Sequence, residues 1–398
     1  MITLARMTQK VAGDATMARR HAKRKKLASV RDAELFSEAS PAAEGWRMPA
    51  EWEPRAATWL AFPHKSGDWP GKSGAVLWVF AEMIRHLSRG ERIRMLVGNA
   101  KQAGVARNAI ARVGADIAQV DFIACATNRS WTRDYLPNFL VKSAGSARGK
   151  PRLLGAVKWR FTGWHRYPDH KLDDAAGLFV AEKYADMAYY PTASARGRTF
   201  RVTLEGGSID VDGEGTLLTT EACLLVGRRA RHAQLDRQAS ERLLRDHLGV
   251  KRVIWLHDGI AGDDTSGHID DLARFVKPGV VVLCSETNRR DANYRVLAQA
   301  KERLSGERDA AGRRLQVVLL PMPEPVVDRG TRLPASYANF YIGAECVLVP
   351  TFNDVSDSRA LGILSELFPE RRVIGIHASE LVLGLGTLHC STQQEPRP

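Results

Sequence analysis

Cys390 is the residue best suited to covalent chemistry, because it is the cysteine that stands in a glycine-flanked polar segment. The segment reads Gly384-Leu385-Gly386-Thr387-Leu388-His389-Cys390-Ser391-Thr392-Gln393-Gln394. Glycines allow close backbone approach beside a thiol. Reactive cysteines sit in partly open polar sites, whereas structural ones lie in apolar surroundings, as Cys284 and Cys346 do. Cys390 is therefore the candidate nucleophile.

His268 is the candidate general base. It lies in Asp263-Asp264-Thr265-Ser266-Gly267-His268-Ile269-Asp270-Asp271, and if 267–276 enters a strand, His268 and Asp270 point to one face. His389, next to Cys390, would face away from the thiol in an extended segment. Two alternatives stay open for the same residues. One is an Asp-rich surface turn, and the other is a divalent metal site, since histidine and aspartate both ligate metals.

Two further acids stand in settings that call for a partner. Asp134 lies among aromatic residues in Trp131-Thr132-Arg133-Asp134-Tyr135, where burial is costly unless a cation is near. An ion pair with Arg133 is its structural alternative. Glu205 precedes Gly206-Gly207 at the end of an apolar strand. One thiol, one histidine and several carboxylates suit attack on a planar cation such as a guanidinium, which carboxylates bind through its N–H donors and whose charge favours the thiolate.

The elements that must position these residues alternate between helical and strand patterns, which predicts an α/β class. Hydrophobic periodicity and bounding glycines place the elements. Helices are predicted near 76–87, 101–113, 235–248, 291–304 and 357–367. Strands are predicted at 93–97, 117–123, twice within 201–226 around a hairpin at 212–215, at 253–256, on both sides of 278–279, at 315–320, within 337–350 and at 372–376. No linker divides 46–398, so we expect one compact catalytic domain there.

Composition bounds the class of protein. The 398 residues are 44% hydrophobic and 26% charged, as in ordinary globular proteins, and no stretch approaches the ~20 apolar residues of a membrane span. The five scattered cysteines lack metal-ligand spacing and indicate reduced thiols in a cytoplasm. The net charge of +13 includes a basic cluster at 19–26. Residues 1–45 are expected to form a basic, poorly ordered leader, with a nucleic-acid-binding tail as the alternative.

Six ordered motifs are similar to the agmatine deiminase / bacterial peptidylarginine deiminase family. The similarity runs from about 46 to 396 through Arg47-Met48-Pro49-Ala50-Glu51-Trp52-Glu53-Pro54 with Thr58 to His64, Thr127 to Pro137, Leu204 to Ile209, Thr265 to Asp270, Ser336-Tyr337-Ala338-Asn339-Phe340 and His389 to Pro396. The resemblance implies a pentein fold, which is an α/β propeller of five ββαβ-like units around a central active site. It also implies hydrolysis of a guanidine to a ureido group with release of ammonia, without metal or organic cofactor.

Carried over by position, the resemblance implies a role for each candidate. Cys390 would form an amidino-cysteine intermediate and His268 would be the general acid/base. Asp134 and Asp270 would hold the guanidinium, and Glu205 would orient the substrate and His268. Trp131 and Trp164 would line the substrate site.

The expected reaction is agmatine plus water to N-carbamoylputrescine plus ammonia, a step of putrescine biosynthesis. A peptidylarginine or other guanidine is the alternative substrate. The alternatives in other classes are a metal-dependent hydrolase built on Asp263, Asp264, His268 and Asp270, and a non-catalytic nucleic-acid-binding protein. We expect a small-molecule substrate, no membrane partner and a possible homo-oligomer.

The sequence also departs from the family pattern. Leu136 stands where the family usually has glycine, and Leu385 and Thr387 interrupt a Gly-Gly-Gly-Asn run. The agmatine-type Trp-Gly-Gly-Lys loop is replaced by Trp164-His165-Arg166-Tyr167. These changes are expected to narrow or reshape the pocket while the chemistry at the guanidinium carbon survives.

Overall fold

The computed structural model of the chain describes residues 40–142 and 153–398. Their helices are α1 (Ser73–Leu87), α2 (Ala100–Arg112), α3 (Thr132–Tyr135), α4 (Lys171–Tyr184), α5 (Glu221–Leu224), α6 (Arg237–Leu248), α7 (Asn293–Ser305) and α8 (Asp357–Leu367). Short 3₁₀ turns cover Ile117–Gln119, Gly206–Ser208, Ile269–Asp271 and Leu381–Gly384.

The strands are short and spread along the whole described chain. They are β1 (Trp46–Arg47), β2 (Arg55–Ala61), β3 (Arg92–Val97), β4 (Val120–Ala124), β5 (Asn138–Lys142), β6 (Leu154–Val157), β7 (Met187–Tyr189), β8 (Thr192–Ala195), β9 (Arg198–Arg201), β10 (Asp210–Val211), β11 (Thr216–Thr220), β12 (Arg252–Leu256), β13 (Ala273–Lys277), β14 (Val280–Ser285), β15 (Gln316–Pro321), β16 (Val327–Asp328), β17 (Thr331–Arg332), β18 (Tyr341–Ile342), β19 (Cys346–Thr351), β20 (Arg372–His377) and β21 (Gln393–Pro396).

Within the described ranges, five sheets of three or four strands share one pattern. An antiparallel pair is followed by a crossover helix and a strand parallel to the second member of the pair. The pattern is β5-β6-α4-β7, β10-β11-α6-β12, β13-β14-α7-β15, β18-β19-α8-β20 and β21-β2-α1-β3, the last extended through α2 to β4. Parallel neighbours require such crossovers. The α/β class predicted from the sequence is confirmed.

The fifth sheet joins the two ends of the described chain and thereby fixes the candidate nucleophile. The C-terminal strand β21 runs antiparallel to β2, with Trp59 opposite Gln393. Trp59 Nε1 donates to Glu395 Oε2 at 2.9 Å. Because Cys390 lies three positions before β21, the pairing holds its turn close to β2.

Local sequence explains why α6 begins and ends where it does. The Asp236 carboxylate accepts a hydrogen bond from the Ala239 N–H at 2.7 Å, which is N-capping. Gly249 adopts φ 68° directly after the helix, the left-handed conformation that glycine accepts without a steric penalty. Between these ends, Leu244 and Leu248 are fully buried.

Three predicted elements are wrong in detail. Residues 117–119 form a 3₁₀ turn before β4. The two strands predicted within 201–226 are shorter than expected, β10 and β11, because 206–208 and 221–224 are helical turns, whereas their antiparallel pairing around 212–215 confirms the hairpin. The strand expected over 267–276 begins at Ala273, since Ile269–Asp271 is a 3₁₀ turn.

The structure tests only part of two expectations, the absence of a membrane span and the basic leader. Within 40–142 and 153–398, no helix combines the length and apolar character that membrane crossing requires. Most of the basic leader lies outside the described residues, so its role and the boundary at residue 45 stay predictions.

Candidate active site

Gly207 lies where His268, Asp134 and Asp270 meet. A β-carbon placed on Gly207 would lie 2.6 Å from His268 Nδ1, 2.9 Å from Asp134 Oδ1 and 3.0 Å from Asp270 Oδ2. The Gly207 N–H donates to Asp134 Oδ1 at 3.0 Å. Only glycine leaves room for three polar side chains against its backbone. The structure therefore brings together three of the residues predicted from distant motifs.

Asp134 is held at this meeting point from two sides. Besides the Gly207 N–H, its carboxylate accepts a hydrogen bond from Trp164 Nε1 at 2.8 Å. Burial raises the pKa of Asp134 to about 6. The structural alternative for this residue is wrong, because Arg133 instead binds Glu51 at 3.0 Å and Gln394 at 2.7 Å. Asp134 thus has no permanent cation of that kind.

His268 sits between two carboxylates. Its Nδ1 lies 3.8 Å from Asp134 Oδ1 and its Nε2 lies 3.5 Å from Glu205 Oε2. Burial alone would lower the pKa of His268, but Asp134, Cys223 and Glu205 outweigh it and raise that pKa well above its ordinary value. An imidazolium is therefore the resting form in this pocket.

Glu205 is anchored by a buried arginine. Arg231 Nε donates to both of its carboxylate oxygens, at 2.8 and 3.0 Å, and both side chains are inaccessible to solvent. Burial opposes ionisation, yet Arg231 and His268 lower the pKa of Glu205 to about 2. The apolar strand expected to precede Glu205 is absent from this described segment, where Val202–Leu204 is irregular.

Cys390 stands in a tight turn and not in an extended segment. The Ser391 N–H donates to the Thr387 carbonyl and the Thr392 N–H to the His389 carbonyl. The thiol is 8% exposed. Its Sγ lies 3.8 Å from Asp270 Oδ2. Burial and the neighbouring carboxylates raise the pKa of Cys390 well above its ordinary value.

Asn339 is a site residue for which no role was predicted from the sequence. Its Nδ2 donates to Cys390 Sγ at 3.2 Å and to Asp271 Oδ1 at 2.9 Å. Its Oδ1 accepts from the His389 N–H at 3.0 Å and from Thr387 Oγ1 at 2.7 Å. The available signal was its place in the family-like motif over 336–340. Asn339 fixes the turn that carries the nucleophile.

Asp270 and Asp271 differ in their partners. Asp270 Oδ2 lies 2.7 Å from His389 Nδ1, while Asp270 Oδ1 is buried without a hydrogen-bond partner. Burial opposes ionisation, but His389 holds the pKa of Asp270 below its ordinary value. Burial and the Asp270 charge raise the pKa of Asp271 well above the ordinary value of an aspartate. The unpartnered oxygen is free for an N–H donor.

A cavity of about 180 Å³ opens onto the nucleophile. Of the predicted site residues, Cys390, Asp134, Trp131 and Trp164 line it, whereas His268, Asp270 and Glu205 do not. The remaining lining residues are Gly67, Asp68, Arg129, Tyr167, Asp264, Thr265, Asp271, Leu383, Gly384, Leu385 and Gly386. The cavity wall therefore carries four acids, Asp68, Asp134, Asp264 and Asp271, and one arginine, Arg129.

The unusual residues shape the wall of this cavity. Leu385 has φ 67°, the left-handed region that leucine rarely adopts. A β-carbon on Gly384 or Gly386 would come within 2.8 or 3.0 Å of the Trp131 ring. Trp164, at φ 57°, opens the replaced loop. Leu385 and Trp164 therefore lie in the cavity wall, and the narrowing expected from the departures stays a prediction.

The metal alternative is not supported by the arrangement of the described residues. Asp263 accepts hydrogen bonds from the backbone N–H groups of Gly267 and His268, and Asp264 accepts one from Tyr167 Oη. The groups with ligand spacing in the described ranges are Glu205, Cys223 and His268, and Asp270, Asp271 and Cys390. The predicted set of Asp263, Asp264, His268 and Asp270 does not converge.

Comparison with known proteins identifies a matching family and similar sequences. A family model described as Porphyromonas-type peptidyl-arginine deiminase matches residues 47–396. An agmatine deiminase of Ectopseudomonas mendocina is 35% identical over 382 residues, covering 90% of this chain and 98% of that protein.

Solved structures agree with these relatives. The agmatine deiminase of Enterococcus faecalis matches with a TM-score of 0.80 and 30% identity, over 90% of this chain and 98% of the other. The C. jejuni agmatine deiminase with substrate bound matches with a TM-score of 0.75 and 27% identity, over 88% and 96%.

Proposed function

The chain belongs to the Porphyromonas-type peptidyl-arginine deiminase family, and from that premise we propose that it converts agmatine and water into N-carbamoylputrescine and ammonia. The family resemblance of the motifs is confirmed, as are the pentein type of α/β fold and a hydrolase acting on a guanidino C–N bond. The choice of agmatine, the roles of the residues and the closure of the five sheets into a propeller are our proposals. Pairing of β21 with β2 supports the closure.

The observation that carries the proposal is a thiol set among carboxylates in the wall of a cavity of about 180 Å³. Cys390 lines the cavity together with Asp134 and Asp271, and the Asp270 carboxylate is 3.8 Å from Sγ. Unpaired buried carboxylates are costly, so the site is suited to a cation that brings several N–H donors. A guanidinium supplies both the charge and the donors in one plane.

Binding of that cation also activates the nucleophile. In the empty site, burial and the carboxylates keep the Cys390 proton on sulfur, because its pKa lies well above the ordinary value. A guanidinium adds positive charge beside Sγ, which favours the thiolate. Asp134 and the free oxygen of Asp270 hold its nitrogens, so the central carbon faces sulfur.

The reaction then needs two displacements at that carbon. The thiol proton leaves to solvent as the guanidinium binds, sulfur forms a C–S bond and one C–NH₂ bond breaks, and the His268 imidazolium gives its proton to the departing ammonia and is left neutral. In the second step water attacks the same carbon and neutral His268 accepts one water proton. The C–S bond then breaks, the remaining hydroxyl proton returns to sulfur, and the ureido product is left. Glu205, fixed by Arg231, holds the His268 ring in place.

The charge of the cavity favours agmatine over arginine. Its wall includes Asp68 and Asp264, with Arg129 as the cation that lines it. Asp68 Oδ2 is buried without a hydrogen bond, 3.6 Å from Arg129 Nε. An ammonium at the far end of the substrate meets these acids, whereas a carboxylate there would meet like charge, which costs several kcal/mol.

Arg166 does not offset the negative charge of the cavity wall. This arginine of the replaced loop is not among the lining residues, and its Nε lies 3.6 Å from Asp264 Oδ2. The peptidylarginine alternative would need a cation there that is not already paired, whereas Arg129 is paired with Asp68 and Asp169. A cytoplasmic location and a homo-oligomer remain parts of the proposal that rest on the sequence.

The test is ammonia release from agmatine, free arginine and a peptide with a C-terminal arginine, with Cys390→Ser as the matched inactive control. We expect agmatine to have the highest kcat/KM by at least about tenfold. EDTA should leave the rate unchanged, and iodoacetamide should abolish it unless agmatine is present. A higher kcat/KM for either carboxylate-bearing substrate would overturn the choice of agmatine.

A further inference from the structure

His389 joins two buried carboxylates that lie on opposite sides of its ring. Its Nδ1 is 2.7 Å from Asp270 Oδ2 and its Nε2 is 2.8 Å from Glu51 Oε2. The His389, Asp270 and Glu51 side chains are all at most 5% exposed. His389 is adjacent in sequence to Cys390, yet its side chain binds Asp270, the carboxylate whose Oδ2 lies 3.8 Å from the Cys390 sulfur.

The two contacts determine the protons on the ring. A neutral imidazole has one N–H and one lone pair, so one of its nitrogens would face a carboxylate oxygen with a lone pair. Only the imidazolium can donate on both sides. Glu51 remains ionised, because Arg274, His389 and Arg133 overcome its burial and hold its pKa well below the ordinary value.

The bridge also determines which oxygen of Asp270 is available. His389 occupies Oδ2, whereas Oδ1 is buried and unpartnered. Rotation of the carboxylate would break the charge-assisted bond to His389, which is among the stronger hydrogen bonds in proteins. Asp270 is therefore kept charged and fixed in one orientation before a substrate arrives.

We propose that His389 is a positioning residue, an imidazolium bridge between Glu51 and Asp270 that keeps Asp270 ionised and aims its free oxygen at the guanidinium. The kinetic effect of the bridge rests on the proposed deiminase function, whereas the bridge itself rests on the contacts of His389. Without the bridge, the buried Asp270 loses its hydrogen-bonded cation and takes up a proton at a higher pH. Its neutral form binds a guanidinium less tightly.

The charge environment of Asp270 sets the direction of that change. The titratable and charged groups that act on it, from its own turn and from the elements around it, are His268, Asp271, Arg274, Asp134, His389 and Cys390. Among these, the His389 hydrogen bond is the foremost influence that lowers the Asp270 pKa. Removal of His389 leaves Asp270 among the neighbouring carboxylates, with only the more distant cations His268 and Arg274 to lower its pKa.

The test compares kcat/KM for agmatine against pH in wild type, His389→Gln and a matched control, His247→Gln. His247 is a largely buried histidine on α6 that lies beside Trp159 and contacts the Leu243 carbonyl. For His389→Gln we expect a 10- to 100-fold loss at neutral pH, on the order of one charge-assisted hydrogen bond, with most of it in KM. The acid limb should become steeper, because Asp270 then takes up a proton in addition to Asp134. The control should keep the wild-type profile.

A measurement on the ring itself keeps the proposal testable if His389→Gln does not fold. Nitrogen-15 NMR of histidine-labelled wild-type protein should show the His389 ring, like that of His268, with protons on both nitrogens at neutral pH, and Glu51→Gln should shift the signal of His389. A singly protonated His389, or a folded His389→Gln whose acid limb coincides with wild type, would overturn the bridge. Absence of ammonia release from every guanidine would instead refute the proposed function, and the NMR result would still decide the bridge.

Discussion

Adding one methyl group at Gly207 should disable the site without unfolding the protein. The β-carbon of Gly207→Ala would lie 2.6 Å from His268 Nδ1, against about 3.4 Å for an ordinary contact, so the ring must retreat by about 0.8 Å. The same carbon comes within 2.9 and 3.0 Å of Asp134 and Asp270. All three side chains are buried and hydrogen-bonded or ion-paired on their other sides, so they cannot turn to solvent.

The expected size of the effect follows from that displacement. Misplacing reacting groups by about 1 Å costs on the order of 100-fold in rate, which corresponds to about 2.7 kcal/mol of transition-state stabilisation. We therefore expect kcat/KM for agmatine to fall by about 100-fold in Gly207→Ala.

The assay is steady-state ammonia release, with circular dichroism and Tm on the same preparations. Gly104→Ala is the matched control, because Gly104 lies in α2 and a β-carbon there meets nothing within 4 Å. That substitution should raise stability by about 0.5–1 kcal/mol and leave the rate unchanged. A folded Gly207→Ala with a rate within about twofold of wild type would refute the placement of the three side chains.

Three further predictions follow from the same contacts. Because burial raises the pKa of Asp134 to about 6 and the ionised form binds the guanidinium, kcat/KM should fall as pH drops through about 6, and an acid limb unchanged in Asp134→Asn would contradict this. Glu205→Gln should lower the free energy of unfolding by about 3–5 kcal/mol, measured by urea titration, because Arg231 keeps a buried charge without its counterion. Leu385→Gly relieves a left-handed leucine and widens the cavity, so the kcat/KM of a C-terminal-arginine peptide relative to agmatine should rise; an unchanged ratio would show that this wall does not select substrate.

Local patterns made α6 predictable, since its cap at Asp236, its apolar face and Gly249 all lie within fourteen residues. Motifs likewise identified Asp134 and His268, because aromatic and glycine neighbours mark unusual positions. The geometry between motifs was not accessible. His389 contacts Glu51 across 338 positions, and no periodicity encodes a contact between chain ends.

The wrong expectations share a cause. The strand predicted over 267–276 and the extended segment at 389–390 were read from local sequence, whereas both are turns bound to distant residues. Asn339 holds the 387–390 turn through its amide oxygen. A polar side chain that satisfies several backbone groups can override local strand preference. Such turns are where site residues concentrate here.

The most direct test of the central claim is to observe carbon bonded to Cys390 during turnover. Rapid acid quenching of the protein with agmatine, followed by mass spectrometry of the peptide that contains Cys390, should show an adduct with the mass of agmatine less ammonia. Cys390→Ser should retain the fold, show no adduct and release no ammonia. Turnover by Cys390→Ser, or an adduct confined to another residue, would contradict the account.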